Sequence, residues 1–175
     1  MNRSFIYETF FHFMKHYFVE TSAIINYLRG KQRIVDAINN LDGEITSSYI
    51  CLAELYEGIS RVRERDRAEH AVLQFFSGLS QVYGLDETIA KAFGELRAQL
   101  KQTGKVVEDI DLFIAATCLA ANLTLITENQ KHFQRIENLA IFPLKEKSSP
   151  GQTLLLHIRR SKREQKRTES FQHQK

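Results

Sequence analysis

The chain has 175 residues, of which 43% are hydrophobic and 26% are charged, enough for one compact domain with a sizeable core. It has only two cysteines, and no apolar stretch reaches the roughly 20 residues that a membrane-spanning helix needs. Composition therefore excludes a disulfide-rich scaffold and an integral membrane protein, and we expect a soluble protein of a reducing cytoplasm with no membrane association.

The net charge of +3 is unevenly distributed along the chain. Residues 145–175 hold nine lysines and arginines and three acidic residues, whereas residues 1–144 hold 15 and 18. A basic segment of this kind can bind phosphate groups without sequence specificity, and it can equally be a solvated chain end. We expect residues 145–175 to form a flexible basic tail that follows the folded domain.

Residues 1–15 precede the first pattern that is typical of a folded domain. They are rich in aromatic side chains, but they contain Glu8 and lack a small-residue cleavage site, so they are a poor signal peptide. The domain pattern starts directly after Met14, which is therefore an alternative start of translation. We interpret residues 1–15 as an N-terminal extension that need not be native, and residues 16–144 as the domain.

The first half of this domain alternates short apolar strands with helices. A strand is predicted at 17–19, followed by a helix that Ser22 caps and that ends near Gly30. A second helix at 34–40 leads to a strand at 44–46. Ser48 then opens a third helix that runs through Ile59, with its apolar side chains at helical spacing.

The second half continues the alternation. The charged run that starts at Arg61 is predicted to begin a helix, and residues 81–84 a strand. Asp86 is expected to cap the next helix, a break follows at Gly104, and a helix at 109–121 leads to a strand at 123–126. A last strand is predicted at 140–142. This order indicates an α/β fold of three layers, in which a short, mainly parallel sheet is covered by helices on both faces.

Three acidic residues occupy positions where an ordinary surface role is awkward. Glu20 directly follows the first strand, at the end where open parallel sheets bind ligands. Glu54 interrupts an otherwise apolar helix, and Asp111 lies in the first turn of the helix at 109–121, where a carboxylate can also simply complement the helix dipole. Carboxylates that meet raise one another's pKa unless a cation neutralises them, and oxygen ligands favour Mg²⁺ or Mn²⁺.

Other chemistries have weaker support in the sequence. His12 and His16 have helical spacing but lack the glutamate of a His-Glu-x-x-His zinc motif. The chain has no glycine-rich phosphate loop, and neither Cys51 nor Cys118 has a nearby histidine that could act as its base. Catalysis by a protein nucleophile therefore has no candidate.

Four segments together resemble PIN domains of the VapC toxin type. The run YFVETSAIINYLRG at 17–30 is similar to the opening motif, LAELYEG at 52–58 to the second, DLFIAAT at 111–117 to the third, and LTLITEN at 123–129 to the fourth. These motifs occur in the family's order and at familiar separations over about residues 17–144. Each is weak alone, whereas the four together are a strong signal.

The resemblance implies a Mg²⁺- or Mn²⁺-dependent endoribonuclease, usually a homodimer, that a cognate antitoxin silences. By position it assigns metal-binding carboxylates to Glu20, Glu54 and Asp111 and a further catalytic place to Asn129. Thr127 is expected to supply a nearby polar contact, and Asp109 is an accessory candidate. The RNA products expected from the resemblance carry a 5′-phosphate and a 3′-hydroxyl.

Glu20 departs from the family, which has aspartate at this position almost throughout. Its extra methylene displaces the carboxylate by roughly 1 Å, which can cost on the order of 100-fold in a reaction that depends on position. The alternative function is therefore a catalytically weakened or silent PIN-like module that binds an antitoxin or nucleic acid. A comparison of RNA cleavage with and without the Asp111 carboxylate separates the two.

Overall fold

The computed structural model describes residues 15–104 and 106–144. The predicted N-terminal extension, except its last residue, and the predicted basic tail at 145–175 lie outside the described residues. Within the described ranges, no helix combines the length and the apolar character that crossing a bilayer requires.

Four parallel strands form the central sheet: β1 (His16–Val19), β2 (Glu44–Ser48), β3 (Gln81–Tyr83) and β4 (Thr124–Ile126). Their order across the sheet is β3-β2-β1-β4. In β1 the consecutive residues Tyr17, Phe18 and Val19 are all buried. Because neighbouring side chains of a strand point to opposite faces, both faces of the sheet are covered, which confirms the predicted three layers.

Seven helices occur in the described residues. They are α1 (Thr21–Leu28), α2 (Gln32–Asn39), α3 (Tyr49–Ile59), α4 (Arg65–Ser77), α5 (Glu87–Gln102), α6 (Asp109–Ala120) and α7 (Gln130–Phe133). Two predicted caps are confirmed, since Ser48 Oγ accepts the backbone N–H of Cys51 at 3.3 Å and Asp86 Oδ1 accepts that of Ile89 at 2.8 Å. A side chain that accepts one of the free N–H groups of a first turn stabilises the helix start.

Three predicted element boundaries were wrong. The first helix is capped by Glu20 and not by Ser22, whose backbone N–H donates to the Glu20 carboxylate. α4 begins at Arg65, because the backbone N–H of Arg61 still turns back to close α3. The last strand is reduced to one bridge between Leu125 and Ile141, and the short helix α7 was not predicted.

The strand order places a ligand crevice beside β1. The chain adds β2 and then β3 on one side of β1 and returns to the other side only for β4. In open parallel sheets, ligands bind at the carboxyl ends of the strands where the direction of strand addition reverses. The backbone N–H of Glu20 donates to the carbonyl of Ile126 at 3.0 Å, so pairing of β1 with β4 continues to the point where both strands end.

Candidate active site

Glu20 is buried at the carboxyl end of β1, with 6% of its surface exposed. Its Oε1 accepts the backbone N–H of Ser22 at 3.0 Å, and its Oε2 accepts the hydroxyls of Ser22 and, at 2.7 Å, of Thr127. Burial raises the pKa of Glu20, these hydrogen bonds lower it, and the charge of Asp111 raises it further. The direction of the sum is upward, so the carboxylate is held in an environment that disfavours its charge.

Glu54 lies on α3, which packs against α1. Its Oε2 accepts the hydroxyl of Thr21, the first residue of α1, at 2.5 Å. Burial raises the pKa of Glu54 most, the hydrogen bond from Thr21 lowers it, and the charges of Glu20 and Asp111 raise it. Two successive residues of α1, Thr21 and Ser22, therefore orient the carboxylates of two different elements.

Asp111 lies in the first turn of α6, where 14% of its side chain is exposed. Its Oδ2 is 2.9 Å from Nδ1 of His132 on α7, and the same ring nitrogen is 2.8 Å from the side-chain amide of Asn129. A carboxylate can only accept a hydrogen bond, so Nδ1–H of this ring donates to Asp111 when Asp111 is ionised. The side-chain amide nitrogen of Asn129 is itself a donor, so it then contacts Nδ1 without a hydrogen bond to it. His132 thus links the third acidic residue to Asn129.

The loop after β4 is fixed to α1 by side-chain hydroxyls. The backbone N–H of Glu128 donates to Ser22 Oγ at 3.0 Å, and that of Asn129 donates to Thr127 Oγ1 at 2.9 Å. The Glu128 carboxylate accepts from Asn26 at 2.9 Å and pairs with cationic side chains of the α1–α2 region, among them Lys31 at 3.1 Å. Asn129 is held near Asp111 by backbone and side-chain contacts together.

The three predicted carboxylates converge electrostatically but do not form a closed cage. The charges of Glu20 and Asp111 both raise the pKa of Glu54, and that of Asp111 raises the pKa of Glu20. Each carboxylate nevertheless turns to its own hydroxyl or imidazole partner, and across residues 15–104 and 106–144 no three Asp, Glu, His or Cys side chains are arranged around one metal position.

The donor set fits a divalent cation by its chemistry. Three carboxylates supply only oxygen ligands and an excess of negative charge, which is the combination that Mg²⁺ and Mn²⁺ accept and that zinc rarely uses alone. The negative charges of Glu20 and Asp111 repel that of Glu54, and a bound cation would offset this repulsion. Binding in common requires the carboxylates to rotate away from Thr21, Thr127 and His132.

The accessory candidate Asp109 lies apart from this group, and so does His16, one of the two histidines that lack a zinc motif. Asp109 pairs with Arg97 of α5, and more than half of its side chain is exposed. Because Asp109 and Asp111 are two positions apart on a helix, their side chains point in nearly opposite directions. His16 pairs with Glu44 at 3.3 Å, whereas His12 lies outside the described residues. The structure therefore does not bring Asp109 into the acidic group.

Sequence reasoning missed several residues that hold the acids in place. His132 was not singled out, although it follows Asn129 by three positions and so lies on the same side of a helical turn. Thr21 was read only as part of a motif, Ser22 was predicted only as a helix cap, and Glu128 was not considered. The positions of Thr21 and Ser22 directly after Glu20 could have indicated their role. Short polar side chains at the start of a helix often hydrogen-bond neighbouring groups.

No described thiol near the group is suited to act as a nucleophile. Cys51 is fully buried on α3, and burial raises its pKa to about 11, so its thiol is protonated at neutral pH. Burial also raises the pKa of Cys118 on α6. The hydroxyls of Thr21, Ser22 and Thr127 all donate to carboxylates.

Comparison with known proteins gives a consistent result. The family model described as PIN domain matches residues 17–139. Ribonuclease VapC1 of Methanocaldococcus jannaschii is 32% identical over 123 residues, which is 70% of this chain and 82% of that protein. Ribonuclease VapC2 of Rickettsia felis is 35% identical over 108 residues, covering 59% and 80% of the two chains.

Solved structures show the same fold. VapBC2 from Rickettsia felis, bound to a DNA fragment from its promoter, aligns with a TM-score of 0.67 and 30% identity over 73% of this chain and 97% of that one. VapBC-1 from nontypeable Haemophilus influenzae aligns with a TM-score of 0.67 and 27% identity over 75% and 99%. Both alignments extend over nearly the whole of the matched chains.

Proposed function

Because this chain belongs to the PIN-domain family, we propose that it is a VapC-type endoribonuclease, the toxin of a toxin–antitoxin pair, that hydrolyses RNA phosphodiester bonds with Mg²⁺ or Mn²⁺. The observation that carries the proposal is the group of Glu20, Glu54 and Asp111, whose charges act on one another at the crevice beside β1. The similarity to proteins named as VapC ribonucleases supports the substrate.

The residues of the chain have separable roles in this proposal. A divalent cation bound by Glu20, Glu54 and Asp111 would lower the pKa of a bound water and neutralise charge on the scissile phosphate. Ser22 and Thr127 orient the carboxylate of Glu20. The attacking group is water in this proposal, since the thiol of Cys51 is protonated and the nearby hydroxyls are engaged.

Thr21 and His132 have the corresponding role for the other two carboxylates. Thr21 orients Glu54, and His132 orients Asp111. Asn129, in contact with His132, places its side-chain amide at the same edge and can hydrogen-bond a phosphate oxygen of the RNA.

Replacement of Asp111 by asparagine tests the proposal. We expect Asp111→Asn to lower Mn²⁺-dependent RNA cleavage by about 100-fold or more, because it removes a charged ligand from a positioned reaction. Asp109→Asn is the matched control, since it removes the same charge from the same helical turn at a residue that pairs with Arg97. The measurement is the initial rate of cleavage of a labelled RNA. Equal rates for the natural chain and Asp111→Asn would contradict the proposal.

A silent module remains the second candidate because of two observations. The resemblance to the family implies aspartate at the position of Glu20, and each carboxylate of the group is engaged by a neighbouring side chain. This candidate predicts that Mn²⁺ binds, measured by calorimetry, while the natural chain and Asp111→Asn show the same background cleavage. Cation binding accompanied by cleavage that depends on Asp111 excludes it.

The proposed protein partner is a VapB-type antitoxin. The solved neighbours include VapBC complexes, and an open apolar groove of about 380 Å³ between α1, α3 and α4 suits an apolar segment of such a partner. Its wall includes Ile25, Leu55, Val62 and Val72. We expect Val62→Asp to abolish co-purification with the antitoxin without a change in RNA cleavage, and retained co-purification would place the contact elsewhere.

We further propose that the chain is a homodimer in the cytoplasm. The resemblance to VapC toxins supports both statements. Sedimentation velocity of the purified chain tests the dimer, and fractionation of cells that express it tests the location.

A further inference from the structure

A cleft of about 280 Å³ lies directly beside Asp111. The loop before α6 forms one wall with Val106, Val107 and Glu108, and the region of α7 forms the other with His132 and Arg135. Pockets for drug-sized ligands have volumes of about 300–1,000 Å³. This cleft is therefore of a size for one small flat group next to the acidic site.

Two valines and an imidazole in the lining of the cleft suit the face of an aromatic ring. Val106 is 80% exposed, so its side chain is accessible to a ligand in the cleft. About half of the His132 side chain is exposed, and its ring is held in place through Nδ1 by Asp111. A nucleobase gains free energy by stacking on such a ring, whatever its sequence identity.

The charged groups of the cleft are the carboxylates of Glu108 and Asp111 and the guanidinium of Arg135. Arg135 Nη1 donates to the backbone carbonyl of Val106 at 3.1 Å, which fixes the guanidinium across the cleft while its other N–H groups remain available. Glu108 presents an exposed carboxylate. The two carboxylates outnumber the single guanidinium, so the net charge of the cleft favours an uncharged base over a phosphate group.

We propose that this cleft binds the nucleobase next to the scissile phosphate, and that this base is guanine. The inference rests on the proposed RNA hydrolysis at Asp111. Guanine O6 and N7 accept two hydrogen bonds from an arginine, and its N1–H and N2–H₂ groups can donate two to a carboxylate. The other RNA bases lack this combination of an acceptor pair and a donor pair, so Arg135 and Glu108 together select guanine.

Cleavage of an RNA library with random sequence tests the selection. We expect the natural chain to cut with guanine enriched at one position adjoining the cut. Glu108→Gln and Arg135→Lys should each reduce this enrichment by about tenfold, because each removes one bidentate contact. The control Glu95→Gln removes the same charge from an exposed part of α5 outside the cleft and should keep the preference. Equal cutting at all four bases, or a preference for another base, overturns the proposal.

A binding measurement separates failure of the cleft from failure of the nuclease function. In two-dimensional NMR without added divalent cation, we expect 5′-GMP to shift the backbone amide signals of Val106, Val107 and His132 more than 5′-UMP does. Glu108→Gln should abolish the difference between the nucleotides. If the natural chain cuts no RNA, the proposed function fails, and the nucleotide titration then decides the cleft alone: equal or absent shifts with the two nucleotides overturn guanine binding.

Discussion

The carboxylate of Glu20 performs two tasks that usually fall to separate residues. It caps α1 through the backbone N–H of Ser22, and it belongs to the acidic group at the crevice. The longer side chain of glutamate lets the carboxylate curl back onto Ser22 and Thr127. The capping contact therefore would compete with the contribution of Glu20 to the proposed cation binding.

Shortening this side chain tests the competition. We predict that Glu20→Asp raises Mn²⁺-dependent RNA cleavage by up to about 100-fold. The expected reason is that the extra methylene of glutamate displaces the carboxylate by roughly 1 Å, and the shorter side chain of aspartate removes this displacement. Aspartate remains a good capping residue, so α1 should keep its start. The rate of cleavage is the measurement, with Glu20→Gln as a control that keeps the length and loses the charge. An unchanged or lower rate for Glu20→Asp would show that glutamate is not a defect.

The sequence predicted the three acidic residues because their positions conflict with ordinary roles. A charged residue directly after a buried strand, and another inside an apolar helix, can be recognised as unusual from the sequence alone. His132 could not be found in this way, since α7 is a single turn without hydrophobic periodicity. Its contact with Asp111 depends on the packing of α7 against α6, which no local pattern encodes.

Among the secondary-structure elements, Gly43 and Gly94 differ in whether they can be replaced by a residue with a side chain. At Gly43, φ is +153°, and an added Cβ would lie 2.0 Å from the carbonyl oxygen of Lys15, which accepts the backbone N–H of Glu44 where β1 and β2 begin to pair. Gly94 lies in the interior of α5, with no atom within 4 Å of an added Cβ. The first position requires glycine, and the second does not.

These positions give a paired prediction for stability. Gly43→Ala should lower the free energy of unfolding by more than about 1 kcal/mol, because the clash separates β1 from β2. Gly94→Ala should raise it by about 0.5–1 kcal/mol, because alanine costs less entropy in a helix. Urea unfolding followed by circular dichroism measures both changes. A stabilised Gly43→Ala protein would contradict the close approach of Lys15.

Element boundaries were predictable where a cap or a break is encoded locally. Ser48, Asp86 and the turn at Gly30, where φ is +68°, lie where the sequence placed them. The start of α4 was misplaced because Arg61 and its charged neighbours are good helix formers, yet their backbone closes the end of α3 instead. The strand predicted at 140–142 is a single bridge, in which Ala140 and Phe142 both hydrogen-bond to Leu125 of β4.

At the scale of the molecule, alternation of strands and helices was sufficient to predict a parallel α/β fold. The strand order was not predicted from periodicity, because each strand is a short apolar run and none specifies its neighbours. The place of β4 beside β1 is what brings the loop with Thr127 and Asn129 to Glu20. The domain limits at 16 and 144 and the role of the basic tail stay predictions.

The two buried thiols report on the integrity of the whole fold. Cys51 and Cys118 lie in α3 and α6, the helices that carry Glu54 and Asp111, and both are about fully buried. We predict that at pH 8 neither reacts with a disulfide reagent until the chain unfolds, because burial keeps the thiols protonated and inaccessible. The measurement is the rate at which a chromogenic disulfide reagent reacts with the thiols of the native chain, compared with the rate for the chain in denaturant. Rapid reaction of one native thiol would indicate local opening of its helix.

The raised pKa of Cys51 has a consequence for stability at alkaline pH. Since the pKa of Cys51 rises from 9.0 to about 11 on folding, its protonated thiol supports the fold fully below pH 9, and this contribution is lost as the pH increases towards 11. Melting temperature measured over this range should fall, and Cys51→Ala should reduce the fall.

The hydroxyl of Ser22 joins two parts of the polypeptide that are 106 positions apart, since it contacts both Glu20 and the backbone of Glu128. Translation proceeds from the N-terminus, so Glu20 is synthesised long before β4 and the loop that carries Thr127. The surroundings of Glu20 are complete only when that loop has been made. A chain that ends before residue 111 would hold Glu20 and Glu54 without Asp111 and without the hydrogen bond from Thr127 to Glu20. If the chain is a toxin, translation itself delays its toxicity until the domain has been synthesised almost to its end.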